Sequence, residues 1–346
     1  MATRHSKKSV AGKKASKHAT SRGKAPVIEA SSPELLSLAR KNAKQVLARR
    51  KVSRASREAA LAKHAAPFTV HTEVTSMSLV AAADPVATVK SSSTAGYLLA
   101  VGDSWFDYPI HDVLTKLDDL FGYNIESAAH KGDPIEAMVS HVGQLDKFSR
   151  CLDKIVALGA MPKAILVSGG GDDIAGEEFG MLINDKDLPI AGWNEQVLAG
   201  VIDTRIAAAY RLMISSIKQY CQMDLGRTFP ILVHGYDYPV PDGRGFLGGW
   251  GPLPGPWLKP GFDEKLFLNL PETTAMMVVA IDRFNAMLQR LVQEPEFAGV
   301  HYVDLRGTLS NKPANYKSLW ANELHPSGDG FAAVAQKFQA VLATLP

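Results

Sequence analysis

The first thing this chain is short of is cysteine. Its 346 residues hold two, Cys151 and Cys221, and neither stands at metal-ligand spacing, so both read as small buried hydrophobes rather than a disulfide or a zinc set. Long apolar runs are also missing, and nothing reaches the roughly 20 residues a membrane-spanning helix needs. The amino terminus is basic but has neither the apolar stretch nor the small-residue cleavage site of a secretory signal. Arg49-Arg50 is followed by no hydrophobic segment, as a twin-arginine signal requires, and the expectation is a cytoplasmic protein. Gly169-Gly170-Gly171 lacks the later Gly and Lys of a phosphate-binding loop, and no dinucleotide fingerprint appears. No group of His, Cys and acids stands at metal spacing, so neither a metal nor another cofactor is expected. Aromatic residues are absent before Phe68, which removes a stacking platform for single-stranded nucleic acid from that region.

Acidic residues are scarce there too. Residues 1–66 carry 17 of the 38 Lys/Arg but 3 of the 35 Asp/Glu, so the net charge of +3 conceals a basic arm on an acidic body. Residues 1–31 have almost no large apolar side chains and cannot offset the entropy of ordering, which predicts a disordered basic tail. Ser32-Pro33-Glu34 supplies an N-cap, a first-turn proline and a first-turn acid, and predicts a cationic helix over 32–65. Residues 66–95 read as a linker or an added edge strand. The arm, residues 1–65, would suit nucleic acid or another anionic surface through its charge, or act as a solubilising tail.

From residue 96 the pattern changes. Short apolar runs at 97–101, about 123–129, 164–168, 230–234 and 300–305 alternate with apolar residues at helical spacing. Those include Ile135, Met138, Val139, Val142 and Leu145, then Ile206, Tyr210, Met213, Ile214 and Ile217, and finally Phe331, Val334, Phe338 and Val341. Five strands separated by helices predict a doubly wound parallel α/β sheet over 96–346, with the carboxyl ends of the strands on one rim. Insertions at 175–198 and 239–272 interrupt the alternation. Residues 239–261 contain 6 Pro and 7 Gly among Phe246, Trp250 and Trp257, too much turn chemistry for helix or sheet. Following the fourth strand, this loop either overhangs the rim as a lid or folds back on its own aromatics.

The rim gathers chemistry. Gly102-Asp103-Ser104-Trp105 follows the first strand, which places Ser104 on the turn beyond its carboxyl end. Asn322-Glu323-Leu324-His325-Pro326 precedes the last helix and brings a histidine to the same edge. A serine hydroxyl attacks only when a base takes its proton, and His325 is the candidate. Asn322, Glu323 or Asp304 could orient the ring. His234, ending the fourth strand, is a rival base or a wall residue, and Tyr236 and Tyr238 could line a pocket. Trp105 and Phe106 are expected to pack beneath the serine.

In order along the chain, Gly102-Asp103-Ser104, Ala128-Ala129-His130-Lys131-Gly132, Gly170-Gly171-Asp172-Asp173 and Asn322-Glu323-Leu324-His325 resemble blocks of the GDSL or SGNH hydrolase superfamily, over about residues 96–346. The resemblance implies a flavodoxin-like three-layer fold. It also implies a carboxylester hydrolase that passes through an acyl-enzyme on short acyl or acetyl esters, small or polymeric. Ser104 would be nucleophile and His325 base, with the oxyanion hole formed by Ser104, Gly132 and the residue at 172. Asp173, His234, Tyr236, Trp250 and Trp257 would contact substrate. The chain departs from the pattern twice. Asp172 stands where the family has an asparagine donor, and must stay protonated or turn away. Asn322 stands where the family has the orienting acid. A catalytically weakened relative that binds an acylated or polymeric ligand is the other expectation.

Overall fold

The structure, a computed structural model, describes residues 33–64, 94–140, 143–249 and 253–346. The basic tail, nearly all of the 66–95 segment and Trp250 therefore lie outside the described residues. Five parallel strands form one sheet: β1 (Gly96–Val101), β2 (Tyr123–Ser127), β3 (Pro162–Val167), β4 (Ile231–His234) and β5 (Val300–Val303). Numbered this way, their order across the sheet is 2-1-3-4-5, a doubly wound sheet as the alternation predicts, in the flavodoxin-like arrangement that the resemblance implies. The central strands are apolar on both faces, and Leu98, Leu99, Ala100 and Val101 of β1 have no exposed surface. Past Ser127 the chain stays extended without being a strand, as Ala128 and His130 donate to the carbonyls of Ala100 and Gly102.

Helices cover both faces. α2 (Val113–Phe121) packs against α6 (Gly328–Leu342), while α3 (Gln144–Ala157), α4 (Ala207–Leu225) and α5 (Leu270–Leu291) lie on the opposite side. The Ile135–Leu145 stripe reads as one helix but forms two. A short turn of helix at Ile135–Met138 ends and α3 begins after Gly143, while Val142 of the stripe lies outside the described residues. A Cβ at Gly143 would lie 2.3 Å from the Ala137 carbonyl oxygen, so the backbone approaches too closely there for any side chain. Cys151 in α3 and Cys221 in α4 are buried and unpaired. Among the described residues no helix is long and apolar enough to cross a membrane.

The cationic helix is not a free arm over its described length. α1 (Pro33–His64) lies along α3 and α4, burying Leu35, Ala39, Ala43 and Val46 at helical spacing. Three of its arginines meet carboxylates of the body: Arg49 with Asp146, Arg50 with Asp153, and Arg54 with both Asp153 and Asp224. Partly exposed pairs of this kind typically contribute about 0–1 kcal/mol each, so the apolar stripe carries most of the docking and the arginines fix its register.

Candidate active site

β1 ends in a turn that its sequence dictates. A Cβ at Gly102 would come within 2.8 Å of the Phe106 ring and of Ser168, so only glycine lets the strand leave the sheet there. The buried Asp103 carboxylate accepts from the Trp105 amide at 3.0 Å and the Ser168 hydroxyl at 2.6 Å, and also from the Tyr236 hydroxyl. This turn delivers Ser104 to the gap between β1 and β3, the point where the chain departs to opposite sides of the sheet and where open α/β folds place their sites.

His325 arrives from the loop before α6. Its Nε2 lies 2.7 Å from Ser104 Oγ and its Nδ1 lies 3.0 Å from Asn322 Oδ1. The backbone amides of Leu324 and His325 donate to the same Asn322 oxygen at 3.0 and 2.8 Å, which fixes the amide's orientation, since only the oxygen can accept them. The ring must then carry its proton on Nδ1, leaving the Nε2 lone pair to face the serine hydroxyl. Burial pushes the imidazole down to about 3, so it is neutral and able to accept a proton across the ordinary pH range.

Tyr108 was not signalled by any motif. Its ring stacks on His325 with centroids 4.2 Å apart and planes 19° from parallel, and its hydroxyl accepts from Asn322 Nδ2 at 2.9 Å. Trp257 meets His325 edge to face at 5.5 Å. The histidine is thus gripped by one amide and two aromatic rings. An aromatic face attracts a cation, so the Tyr108 ring would favour a protonated imidazole.

Ser104 opens onto a small cavity of about 60 Å³, whose walls include Gly171, Asp172, Ile174, Ala175, Tyr236, Leu258, Met277, Ile281 and Phe284. One carboxylate oxygen of Asp172 is buried without a hydrogen-bond partner. Burial, reinforced by the charges of Asp103, Asp173 and Asp133, raises this carboxyl to about 8, so it is protonated at neutral pH and can donate. The backbone N–H groups of Ser104 and Gly132 have no acceptor among the described residues. Gly132 is exposed on its turn at φ 81° and does not line the cavity.

Several expected roles are not what the geometry shows. Glu323 does not orient the histidine. Its fully buried carboxylate accepts from the amides of Gly243, Trp257, Leu258 and Lys259, at 2.7–3.1 Å, and so anchors the Pro/Gly loop. That loop reaches the site rather than folding back alone, with Trp257 on His325 and Leu258 in the cavity wall. Asp304 is exposed and paired with Arg306. His234 is neither base nor wall. It has no exposed surface, bonds Ser168 Oγ and the Gly235 carbonyl, and packs against Trp105 and Phe106. Asp173 accepts from the Ile135 amide and faces Arg205, away from the cavity lining. Tyr236 lines the cavity, whereas Tyr238 bonds Asp282 and does not line it.

No family model and no curated protein matches the chain. Among solved structures it is similar to the lipase Lip_vut3 from a goat rumen metagenome, with 15% identity over 71% of this chain and 96% of that one, TM-score 0.43. It is also similar to a member of the lipolytic G-D-S-L family from Veillonella parvula, with 13% identity over 72% and 100% of the two chains, TM-score 0.38. A third similarity is to Axe2, an acetylxylan esterase from Geobacillus stearothermophilus, with 12% identity over 72% and 95%, TM-score 0.36.

Proposed function

We propose that this chain is a serine carboxylester hydrolase of the GDSL/SGNH type, with Ser104, His325 and Asn322 as its relay. One observation carries the reading: the continuous contact from Ser104 Oγ to His325 Nε2 and from Nδ1 to Asn322 Oδ1, with the tautomer fixed. In this mechanism His325 takes the hydroxyl proton as Oγ attacks the ester carbonyl, and the carbonyl π electrons move onto oxygen. The tetrahedral intermediate collapses, His325 protonates the departing alkoxide, and an acyl-enzyme remains. Water then repeats the sequence, releasing the acid and restoring Ser104.

The developing oxyanion is stabilised by the free N–H of Ser104 and by the protonated carboxyl of Asp172, which replaces an amide donor with an O–H donor. Among the described residues no carboxylate bonds the His325 ring. Asn322 Oδ1 and the Tyr108 face supply its stabilisation, which favours correct orientation with a modest rate. The test is labelling with a fluorophosphonate together with p-nitrophenyl ester turnover. Labelling of Ser104, lost along with turnover in Ser104→Ala, is the expected result. Turnover that survives Ser104→Ala would overturn it.

A further inference from the structure

We infer that Gln144 is a positioning residue for the nucleophile: its side-chain amide clamps the backbone of Gly102 and so sets where the hydroxyl and amide of Ser104 stand. This rests on the esterase reading and adds to it a residue that no motif marks. The sheet opens at this point. β1 and β2 stop pairing at Ala100 and Ser127, and beyond them the amides of Ala128 and His130 donate to the carbonyls of Ala100 and Gly102. The amide of Gly102 leaves that ladder. It donates to Gln144 Oε1 at 2.8 Å, and Gln144 Nε2 donates back to the Gly102 carbonyl at 2.8 Å. One side chain thus holds both polar groups of the residue from which the chain turns toward Ser104.

The clamp has one orientation. Gln144 Nε2 also donates to Asp133 Oδ2 at 3.0 Å, and a carboxylate only accepts, so the nitrogen must face Asp133 and the Gly102 carbonyl. Turning the amide over would set oxygen against both acceptors. Asp133 is itself tied, with Oδ1 3.0 Å from His130 Nδ1. Gln144 is 2% exposed and opens α3, whose Leu145, Phe148 and Leu152 are fully buried, so the core fixes its backbone. Gly102 is tight on its other side as well, against Phe106 and Ser168. Asp103, the next residue, is held through its carboxylate by Trp105 and Ser168. The turn is therefore pinned at consecutive residues, and Ser104 inherits its position from them. A displacement of about 1 Å in a reacting group can cost about 100-fold in rate.

Gln144→Met tests this, because it keeps the length of the side chain and removes all three hydrogen bonds. A glutamine that only satisfied a buried amide would cost stability and leave kcat alone, so Tm is read beside the kinetics. With p-nitrophenyl acetate we expect kcat to fall about 100-fold while KM changes less than about threefold, and fluorophosphonate labelling of Ser104 to slow by a similar factor. Because that variant could misfold, Gln144→Glu is measured too. Its ionised carboxylate accepts from the Gly102 amide but has no proton for the Gly102 carbonyl, and it faces Asp133; the protonated form restores the donor. Its kcat/KM should therefore climb at least about tenfold from pH 7 to 5, where wild type is level. The charged groups around the position, Asp103, His130, Asp133, Asp146, Lys147 and Arg150, are common to both proteins, so the wild-type profile is the control. A kcat for Gln144→Met within about threefold of wild type, or a loss confined to KM, overturns the clamp while leaving the serine mechanism standing. Parallel pH profiles for Gln144→Glu and wild type overturn it equally. Absence of both turnover and labelling in the wild type would sink the esterase reading itself.

Discussion

Asp172→Asn separates two roles for the odd residue in the oxyanion region. With its carboxyl near 8, about nine molecules in ten carry the proton at pH 7 and about one in ten at pH 9. If the O–H donates to the oxyanion, wild-type kcat/KM falls about tenfold per pH unit above 8. The fall has a floor. An ionised carboxylate about 4 Å from the oxyanion, at an effective dielectric near 20, repels it by about 4 kcal/mol, so the ionised form should retain roughly one part in a thousand. His325 sits far below this range and Tyr108 is raised to about 12, so neither produces the same limb. Asp172→Asn keeps a donor and removes the titration. Its kcat/KM should stay flat from pH 7 to 10 and exceed wild type about tenfold at pH 9. Stability should move as well. The folded state holds this proton to higher pH than the unfolded chain does, so Asp172 costs stability as pH rises from about 4 toward 8, and the variant should melt above wild type at pH 8 but not at pH 4. Superimposable alkaline profiles for the two proteins would refute the reasoning.

Three further outcomes follow from the same geometry. Asn322→Asp places a carboxylate where the two amides and the Tyr108 hydroxyl can all donate; an opposite charge this close typically raises a pKa by about 1–3 units, so kcat should rise about 10- to 1000-fold and the acid limb move upward, whereas an unchanged kcat would mean proton transfer is not limiting. In the wild type, kcat/KM should change less than about twofold between pH 7 and 5, where a histidine at its ordinary value would give a drop of about 25-fold; an inflection near 6.5 would contradict the buried, neutral ring. Glu323→Ala strands four loop amides, each costing about 1–3 kcal/mol when left buried without a partner, so Tm should fall by several degrees with a rise in KM, and an unchanged melting curve would contradict the anchor.

The sheet was legible because its strands are short, wholly apolar and regularly spaced, and a parallel core leaves that pattern little freedom. Ser104 and His325 were legible for a related reason: each follows a feature the chain cannot hide, a strand ending in Gly102 and a polar turn ending in Pro326. Tyr108 was not, because a stacked ring leaves no spacing signature; it merely lies four residues beyond the serine on an irregular segment. Glu323 was one of three candidates to orient the histidine because it stands next to Asn322, but successive side chains on a turn point in different directions. His234 shows the opposite failure, as a polar residue at a strand end looked accessible while aromatic rings from Trp105, Phe106 and Phe338 enclosed it. The α1 stripe was hidden by its own charge, since alanines at 39 and 43 give little hydrophobic signal yet allow close helix contact.

The Glu323 anchor has a mechanical consequence. Asn322, which sets the histidine ring, and Glu323, which holds the loop, are consecutive residues, so base and overhang share one short piece of backbone. Swinging the loop outward would strip a buried carboxylate of four donors and pull on the histidine at the same time. In the proposed reaction ester and acid would therefore pass a fixed wall rather than a hinged door. Hydrogen–deuterium exchange would show this as slow, concerted exchange at Gly243, Trp257, Leu258 and Lys259, unresponsive to turnover.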